Sequence, residues 1–216
     1  MVRLLGQSHS LLNQFIAEIR DVEIQQDSLR FRYNLERIGE IFAYEISKEL
    51  AFEEREVVTS LGIANVPVLT QYPVLATILR AGLPFHHGFL KFFDRSANAF
   101  ISAYRMAHKD GTFSMSVEYA SSTSIDGKVL IICDTMMATG SSIVHTYKEL
   151  LTGGKPAHVH IATILASMEG VNHLRKSLPK KNVTIWVGEV DEELTAQLFL
   201  VPGLGDAGDL AYGEKN

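Results

Sequence analysis

One cysteine in 216 residues leaves no internal disulfide to be made, so the fold must rest on burial rather than on covalent staples. An excess of positive charge is missing too. Twenty Lys and Arg against 25 Asp and Glu give a formal net charge of −5, and the cations are scattered rather than gathered into a stripe. That pattern argues against nucleic acid as a partner. No run approaches the ~20 apolar residues of a membrane span. Residues 1–21 break their apolar positions with Gln, Asn, Glu and Arg, unlike a signal peptide, so a cytoplasmic protein without a membrane partner is expected. Internal repeats and low-complexity segments are absent as well. What remains is a chain 46% apolar and 21% charged, able to bury a full core as one domain over residues 1–216.

The most informative stretch is Val129 to Ser142. Residues 129–133, Val-Leu-Ile-Ile-Cys, form a continuous apolar run bounded by Asp126-Gly127 and Asp134, which reads as a strand buried on both faces of a parallel sheet. Asp134 falls at its C-terminal end. Beyond Ala138-Thr139-Gly140-Ser141-Ser142, apolar residues recur at Ile143, Val144, Tyr147, Leu150 and Leu151 with helical spacing, and Gly153-Gly154 supplies the stop. A strand, a loop and a helix N-terminus in this order make an anion site, because the first helical N–H groups and the helix dipole favour negative charge there. Gly140 lets the backbone approach a phosphate, Thr139, Ser141 and Ser142 add hydroxyl donors, and Asp134 suits neutral sugar hydroxyls. A sugar phosphate satisfies both halves. The plainer reading is an ordinary helix cap after a core strand. A Walker A loop is excluded, since no Lys follows the glycine at the required spacing.

Elsewhere, residues 11, 12, 15, 16 and 19 share one helical face, and 35, 38, 41, 42, 46 and 50 another, which predicts a helical N-terminal arm over 1–60. Strands are expected at 66–69, 74–79, 99–104, 159–165 and 183–187. Helices are expected through Phe85, Phe89 and Phe92 and over 171–178. The polar segment 105–123, with a turn at Lys109-Asp110-Gly111, reads as a mobile hairpin. Strand-helix alternation implies a mostly parallel sheet with right-handed crossovers. Gly203-Leu204-Gly205-Asp206-Ala207-Gly208 fits G-x-G-x-x-G literally. It has no acidic residue about 20 positions on, so it is read as a glycine-rich lid whose backbone faces a ligand.

Three segments carry a resemblance. Residues 134–140, Asp-Thr-Met-Met-Ala-Thr-Gly, resemble the phosphoribosyl diphosphate (PRPP) signature in the form found in uracil phosphoribosyltransferases, Asp-Pro-Met-Leu-Ala-Thr-Gly-Gly. Residues 77–83, Thr-Ile-Leu-Arg-Ala-Gly-Leu, are similar to the family's Pro-Ile-Leu-Arg-Ala-Gly-Leu. Residues 201–209, Val-Pro-Gly-Leu-Gly-Asp-Ala-Gly-Asp, match its C-terminal uracil-site segment residue for residue, and Val190 to Leu194 has a counterpart as well. The resemblance runs in the same order from about Tyr33 to the C-terminus.

It implies an α/β phosphoribosyltransferase fold, a mostly parallel central sheet flanked by helices, with residues 190–216 forming a base-binding C-terminal segment. It implies transfer of the 5-phosphoribosyl group from PRPP to uracil, giving UMP and diphosphate, in a homodimer or larger homo-oligomer. The PRPP site would comprise Arg80, Ala81, Gly82, Arg105 and the loop Asp134, Thr135, Met136, Met137, Ala138, Thr139, Gly140, Ser141 and Ser142. The uracil site would comprise Phe199, Leu200, Gly205, Asp206 and Ala207, and the catalytic group Asp134, Arg80 and Asp206. Arg suits diphosphate through its bidentate fork; for Arg105 a solvated surface charge stays the alternative. Mg²⁺ would ride on the diphosphate oxygens, reaching Asp206 through water, so no dedicated metal cage is expected. No residue stands out as a general base.

The chain departs from the family pattern at Thr135 (for Pro), Ser141 (for Gly), Leu198 (for Gly), Phe199 (for Tyr) and Leu210 (for a basic residue), and at Ala120-Ser121-Ser122. These put base choice and rate in question more than PRPP binding. A nucleotide-binding regulator on the same fold and transfer to another base are the alternatives. Orotate is disfavoured because the lid offers its carboxylate no cation. His158 and His160 share a strand face but lack a third ligand. His86-His87 are expected at the surface or a helix cap, Cys133 as a small buried hydrophobe, and Trp186 and the phenylalanines in the core.

Overall fold

The computed structural model describes residues 1–107, 113–121 and 123–214, and of residues 103–120 the backbone only. In chain order it contains β1 (Val2–Leu4), α1 (Leu11–Arg20), α2 (Ser28–Ser47), β2 (Phe52–Val58), β3 (Ile63–Leu69), β4 (Val74–Leu79) and α3 (Gly82–Phe92). Then come β5 (Asn98–Ala107), β6 (Phe113–Ser121), β7 (Val129–Met137), α4 (Ser141–Leu150), β8 (His158–Ser167) and α5 (Met168–Ser177). The chain closes with β9 (Val183–Asp191), β10 (Glu193–Leu194), β11 (Leu200–Val201) and α6 (Ala207–Tyr212).

Seven strands form one sheet in the order β1-β9-β8-β7-β4-β5-β6, parallel throughout except for the antiparallel edge pair β5–β6. The apolar run of β7 shows why such strands are continuous rather than alternating. Ile131 and Cys133 pack beneath α1, α2 and α3 on one face, while Leu130 and Ile132 pack beneath α4 and α5 on the other. Local signals set the helix starts. Ser10 caps α1 by accepting from the Leu12 N–H and Asn13 reciprocates on the Ser10 N–H; Asp27 caps α2 through the Leu29 and Arg30 N–H groups.

The helical arm over 1–60 requires correction. α1 and α2 lie within it, but β1 joins the central sheet beside β9, and β2 pairs antiparallel with β3 in a separate hairpin. The expected strand at 66–69 is therefore the end of β3, outside the central sheet. The 105–123 hairpin is seen as the continuation of β5 into β6, from Phe100↔Ser121 to Ala107↔Phe113. Its expected turn at 109–111 lies outside the described residues. β7 runs beyond Cys133 to Met137, because pairing with β8 continues to Met137↔Ala166 after pairing with β4 has stopped at Thr77↔Cys133. The sheet thus parts between β4 and β7 at Asp134. From there β4 leads through α3 on one face to β5, whereas β7 leads through α4 on the other face to β8. That is a topological switch point, the place where open α/β sheets bind ligands.

Candidate active site

A cleft of about 560 Å³ opens at this switch point. Its walls come from the end of β4 (Arg80, Ala81, Gly82), the end of β7 (Asp134, Thr135, Met136) and the loop before α4 (Ala138, Ser142). The C-terminal segment closes it with Phe199, Asp206 and Ala207. A smaller recess lined by Asp134, Ala138, Thr139, Gly140 and Ser142 adjoins the loop. A groove of about 620 Å³ between α5, β1 and β9 contains none of the expected site residues.

The loop is shaped by Gly140, whose φ of 75° lies in the left-handed region, and a side chain there would run into Leu174. The Gly140 carbonyl accepts from the Val144 N–H, the first bond of α4, so the positive end of that helix abuts the loop. Neighbouring α5 braces it. The Ser167 hydroxyl donates to the Ala138 carbonyl, and His173 Nδ1 donates to the Thr139 carbonyl at 2.7 Å. The Thr139 hydroxyl donates to Ser141 Oγ at 3.1 Å.

Asp134 is half-buried at the parting of the strands. Burial pushes its carboxyl up to about 7, against the Met136 and Thr135 N–H groups, which favour the charged form. Preceding it, the Cys133 thiol is fully buried and pushed well up by desolvation, which fits a small core residue.

Arg80 lines the cleft, yet its guanidinium turns onto α6: Nη2 donates to Asp209 Oδ1 at 2.6 Å and Nη1 to the Gly213 carbonyl at 3.0 Å. The Leu79–Arg80 and Val201–Pro202 peptides are cis. Asp206 is committed as well. Its Oδ1 accepts from the Gly208 and Asp209 N–H groups and caps α6, so the expected glycine-rich lid ends in a capped helical turn.

Four expected site residues line neither the cleft nor the recess. Ser141 opens α4, where its Oγ accepts from the Thr139 hydroxyl. Met137 faces the core under α4 and α5, Leu200 packs into the opposite core layer, and Gly205 lines a different depression beside Gln25 and Asp209. Met137 and Leu200 follow from period, since in a strand alternate residues face away from the cleft; Gly205 lies in a bend with φ 95°. The Arg105 side chain lies outside the described residues. Gln197, Leu198 and Gly208 line the cleft without having been singled out as ligands. Gly208 belongs to the Gly-rich segment and was open to reading; Leu198, at φ 65°, carries no local signal for its turn.

His86, expected at the surface, is fully buried, with Nε2 donating to Asn98 Oδ1 at 2.9 Å, because α3 lays this face against β5. His160 is buried too and accepts from Trp186 Nε1 at 3.0 Å. Phe92, at the end of α3, is exposed, and Phe93 is buried in its stead.

A parallel sheet with a hydroxyl-rich, glycine-hinged loop at its switch point, an acidic residue before that loop and a capping C-terminal segment defines the phosphoribosyltransferase class. A hypoxanthine-guanine phosphoribosyltransferase from Bacillus anthracis shares the fold, with a TM-score of 0.51 at 15% identity over 74% of this chain and 81% of that one. A solved protein from Aquifex aeolicus superposes over 99% of this chain and 98% of its own, with a TM-score of 0.87 at 30% identity. The particular family follows from sequence: the model of uracil phosphoribosyltransferases matches residues 6–214, and the chain belongs to that family. A uracil phosphoribosyltransferase of Porphyromonas gingivalis is 56% identical over 98% of this chain and 97% of its own length. One from Pyrococcus furiosus is 32% identical over 93% and 85%.

Proposed function

We infer that the chain transfers the 5-phosphoribosyl group of PRPP to uracil, releasing diphosphate and UMP, a pyrimidine-salvage reaction. Family membership supports the reaction, and the convergence of Asp134, Arg80, the loop residues Ala138, Thr139, Gly140 and Ser142 and the C-terminal segment on the cleft and its adjoining recess carries the assignment of roles. The 5-phosphate takes the loop and the α4 N-terminus. Asp134 accepts from the ribose hydroxyls, and Arg80 turns from α6 to the diphosphate. Phe199, Leu198 and the backbone around Asp206 to Gly208 enclose the base. The bond from the anomeric carbon to diphosphate breaks with its electron pair going to the diphosphate oxygen, the bond to the uracil ring nitrogen forms, and that nitrogen passes its proton to the departing diphosphate or to water. The transition state has oxocarbenium character, so holding the leaving group and excluding water matter more than a strong nucleophile.

Among the described residues no three or more His, Cys, Asp or Glu gather into a metal cage. The cleft offers two hard carboxylates, Asp134 and Asp206, and that donor set fits Mg²⁺ carried mainly by substrate phosphates and water. Asp134 and Asp206 would be the residues to hold such an ion, and it would supply charge to offset that developing on the diphosphate.

The proposal extends to a cytoplasmic homodimer or larger assembly. A lone buried thiol suits a reducing compartment. The β2–β3 hairpin, nearly all exposed, with Val58 83% and Leu61 99% exposed at its tip, supplies a surface for a second copy. No described helix is long and apolar enough to cross a membrane.

The test is turnover of radiolabelled uracil with PRPP and Mg²⁺ beside cytosine, orotate, hypoxanthine and adenine. Uracil-selective formation of UMP is expected; product from another base alone would reassign the pocket.

A further inference from the structure

The C-terminal segment that closes the cleft is held from behind by the N-terminal helices. Arg20, the last residue of α1, grips Asp191, the last residue of β9, through Nη2 to Oδ1 at 2.7 Å and Nη1 to Oδ2 at 3.2 Å. The pair meets both backbone groups of one residue of the segment, one in each of two successive peptides: Asp191 Oδ2 accepts from the Gly203 N–H at 3.1 Å, and Arg20 Nη1 donates to the Gly203 carbonyl at 2.9 Å. Arg20 Nη2 also reaches Glu189 at 3.2 Å. Asp191 is only 3% exposed, so this is a desolvated, charge-assisted cluster rather than a surface ion pair.

Two further side chains continue the grip. With its amide oriented to satisfy both partners, Gln25 donates to the carbonyls of Ile19 and Leu204, each at 2.9 Å. From α2, Arg32 Nη1 donates to the Ala211 carbonyl at 2.6 Å. Gly203 lies between Phe199 and Asp206-Ala207, the two pieces of the segment that line the cleft. Fixing its N–H and its carbonyl fixes the separation of those two walls.

We propose that Arg20, acting through Asp191 and the Gly203 backbone, is a positioning residue that sets the width of the base pocket, so that uracil recognition is governed from α1. The proposal rests on the reading of Phe199 and Asp206-Ala207 as the base site. Neither Arg20 nor Asp191 lines the cleft, so any effect of their substitution on the base has to pass through the segment.

The experiment is steady-state kinetics of the full chain with each substrate varied in turn, for wild type, Arg20→Gln, Arg20→Lys, Gln25→Leu and Phe199→Ala, beside thermal melts. For Arg20→Gln the KM for uracil is expected to rise roughly tenfold to hundredfold, the loss of a charge-assisted bond. The KM for PRPP should stay within about twofold, and kcat should change less than the uracil KM. Arg20→Lys, which keeps the charge but not the fork, should fall between. A merely structural clamp would lower the melting temperature and the active fraction while leaving both KM values in place, and that result overturns the proposal. So does a parallel rise of both KM values. Should Arg20→Gln fail to fold, Arg20→Lys and Gln25→Leu decide the matter by the same criterion. If Phe199→Ala raises the uracil KM and the Arg20 and Gln25 variants do not, the clamp alone fails. If Phe199→Ala leaves it unmoved, the base-site reading fails and the clamp with it.

Discussion

Asp134 sits where burial and function pull a carboxyl in opposite directions. Desolvation raises it to about 7, whereas accepting hydrogen bonds from two ribose hydroxyls favours the charged form. A raised carboxyl is protonated below about 7 and ionised above it, so PRPP affinity is expected to strengthen as pH climbs from 6 to 8. Asp134→Asn should lower kcat/KM for PRPP by roughly a hundredfold and leave only the pH dependence of the substrate's own phosphates. Calorimetric titration of both proteins across that range decides it: identical slopes would remove Asp134 from the ribose. Gly140 offers a second test. Its φ of 75° and the Leu174 side chain behind it leave no room for a Cβ, so Gly140→Ala should cost about 1–3 kcal/mol in a urea melt and weaken PRPP binding by displacing the loop. Both residues were legible because the strand-loop-helix chemistry is written in consecutive positions. The engagement of Arg80 with Asp209 was not, since it joins residues 129 apart.

Among the elements, those with strong periodicity were read well: α1, α2, α4 and the buried strands β4, β7, β8 and β9 lie where apolar spacing puts them. β1 was hidden by its three-residue length, and β2 by its charge, since Glu53-Glu54-Arg55-Glu56 shows no apolar alternation. A strand exposed on both faces has no buried side to write into the sequence. The same exposure makes β2–β3 testable as an assembly surface. Two-stranded hairpins are marginal alone in water, and this one ends in Val58, Leu61 and Ile63, all exposed. Val58→Asp combined with Leu61→Asp should shift the protein toward monomer in sedimentation velocity. Because these side chains lie outside both core layers, each monomer should lose no more than about 0.5 kcal/mol of its own stability. Unchanged sedimentation would move the interface elsewhere.

At the scale of the whole molecule, two core layers enclose imidazoles that no candidate site uses. His86 packs against Phe100 and is held at about 4 by desolvation, offset in part by Asn98; His160 lies against Trp186 and His158 and is held at about 3, again chiefly by desolvation. An unfolded histidine has its ordinary value of 6.5, so between pH 6.5 and those lower values the unfolded chain binds more protons. Stability is therefore full above pH 6.5 and is lost as pH falls. From pH 6.5 to 5 each imidazole removes at most about 2 kcal/mol. Asp134 acts with the opposite sign: its folded carboxyl holds a proton that the unfolded chain releases above its ordinary 3.8, so acidification from 7 toward 4 favours the folded state through this group. Two deeply buried imidazoles against one half-exposed carboxyl leave a net loss on the acid side. The urea midpoint of the wild type should fall between pH 7 and pH 5. His160→Gln, which keeps an acceptor for Trp186, should fall less steeply. Asp134→Asn, stripped of the opposing proton, should fall more steeply than wild type, and parallel slopes for all three would show that other groups control acid stability.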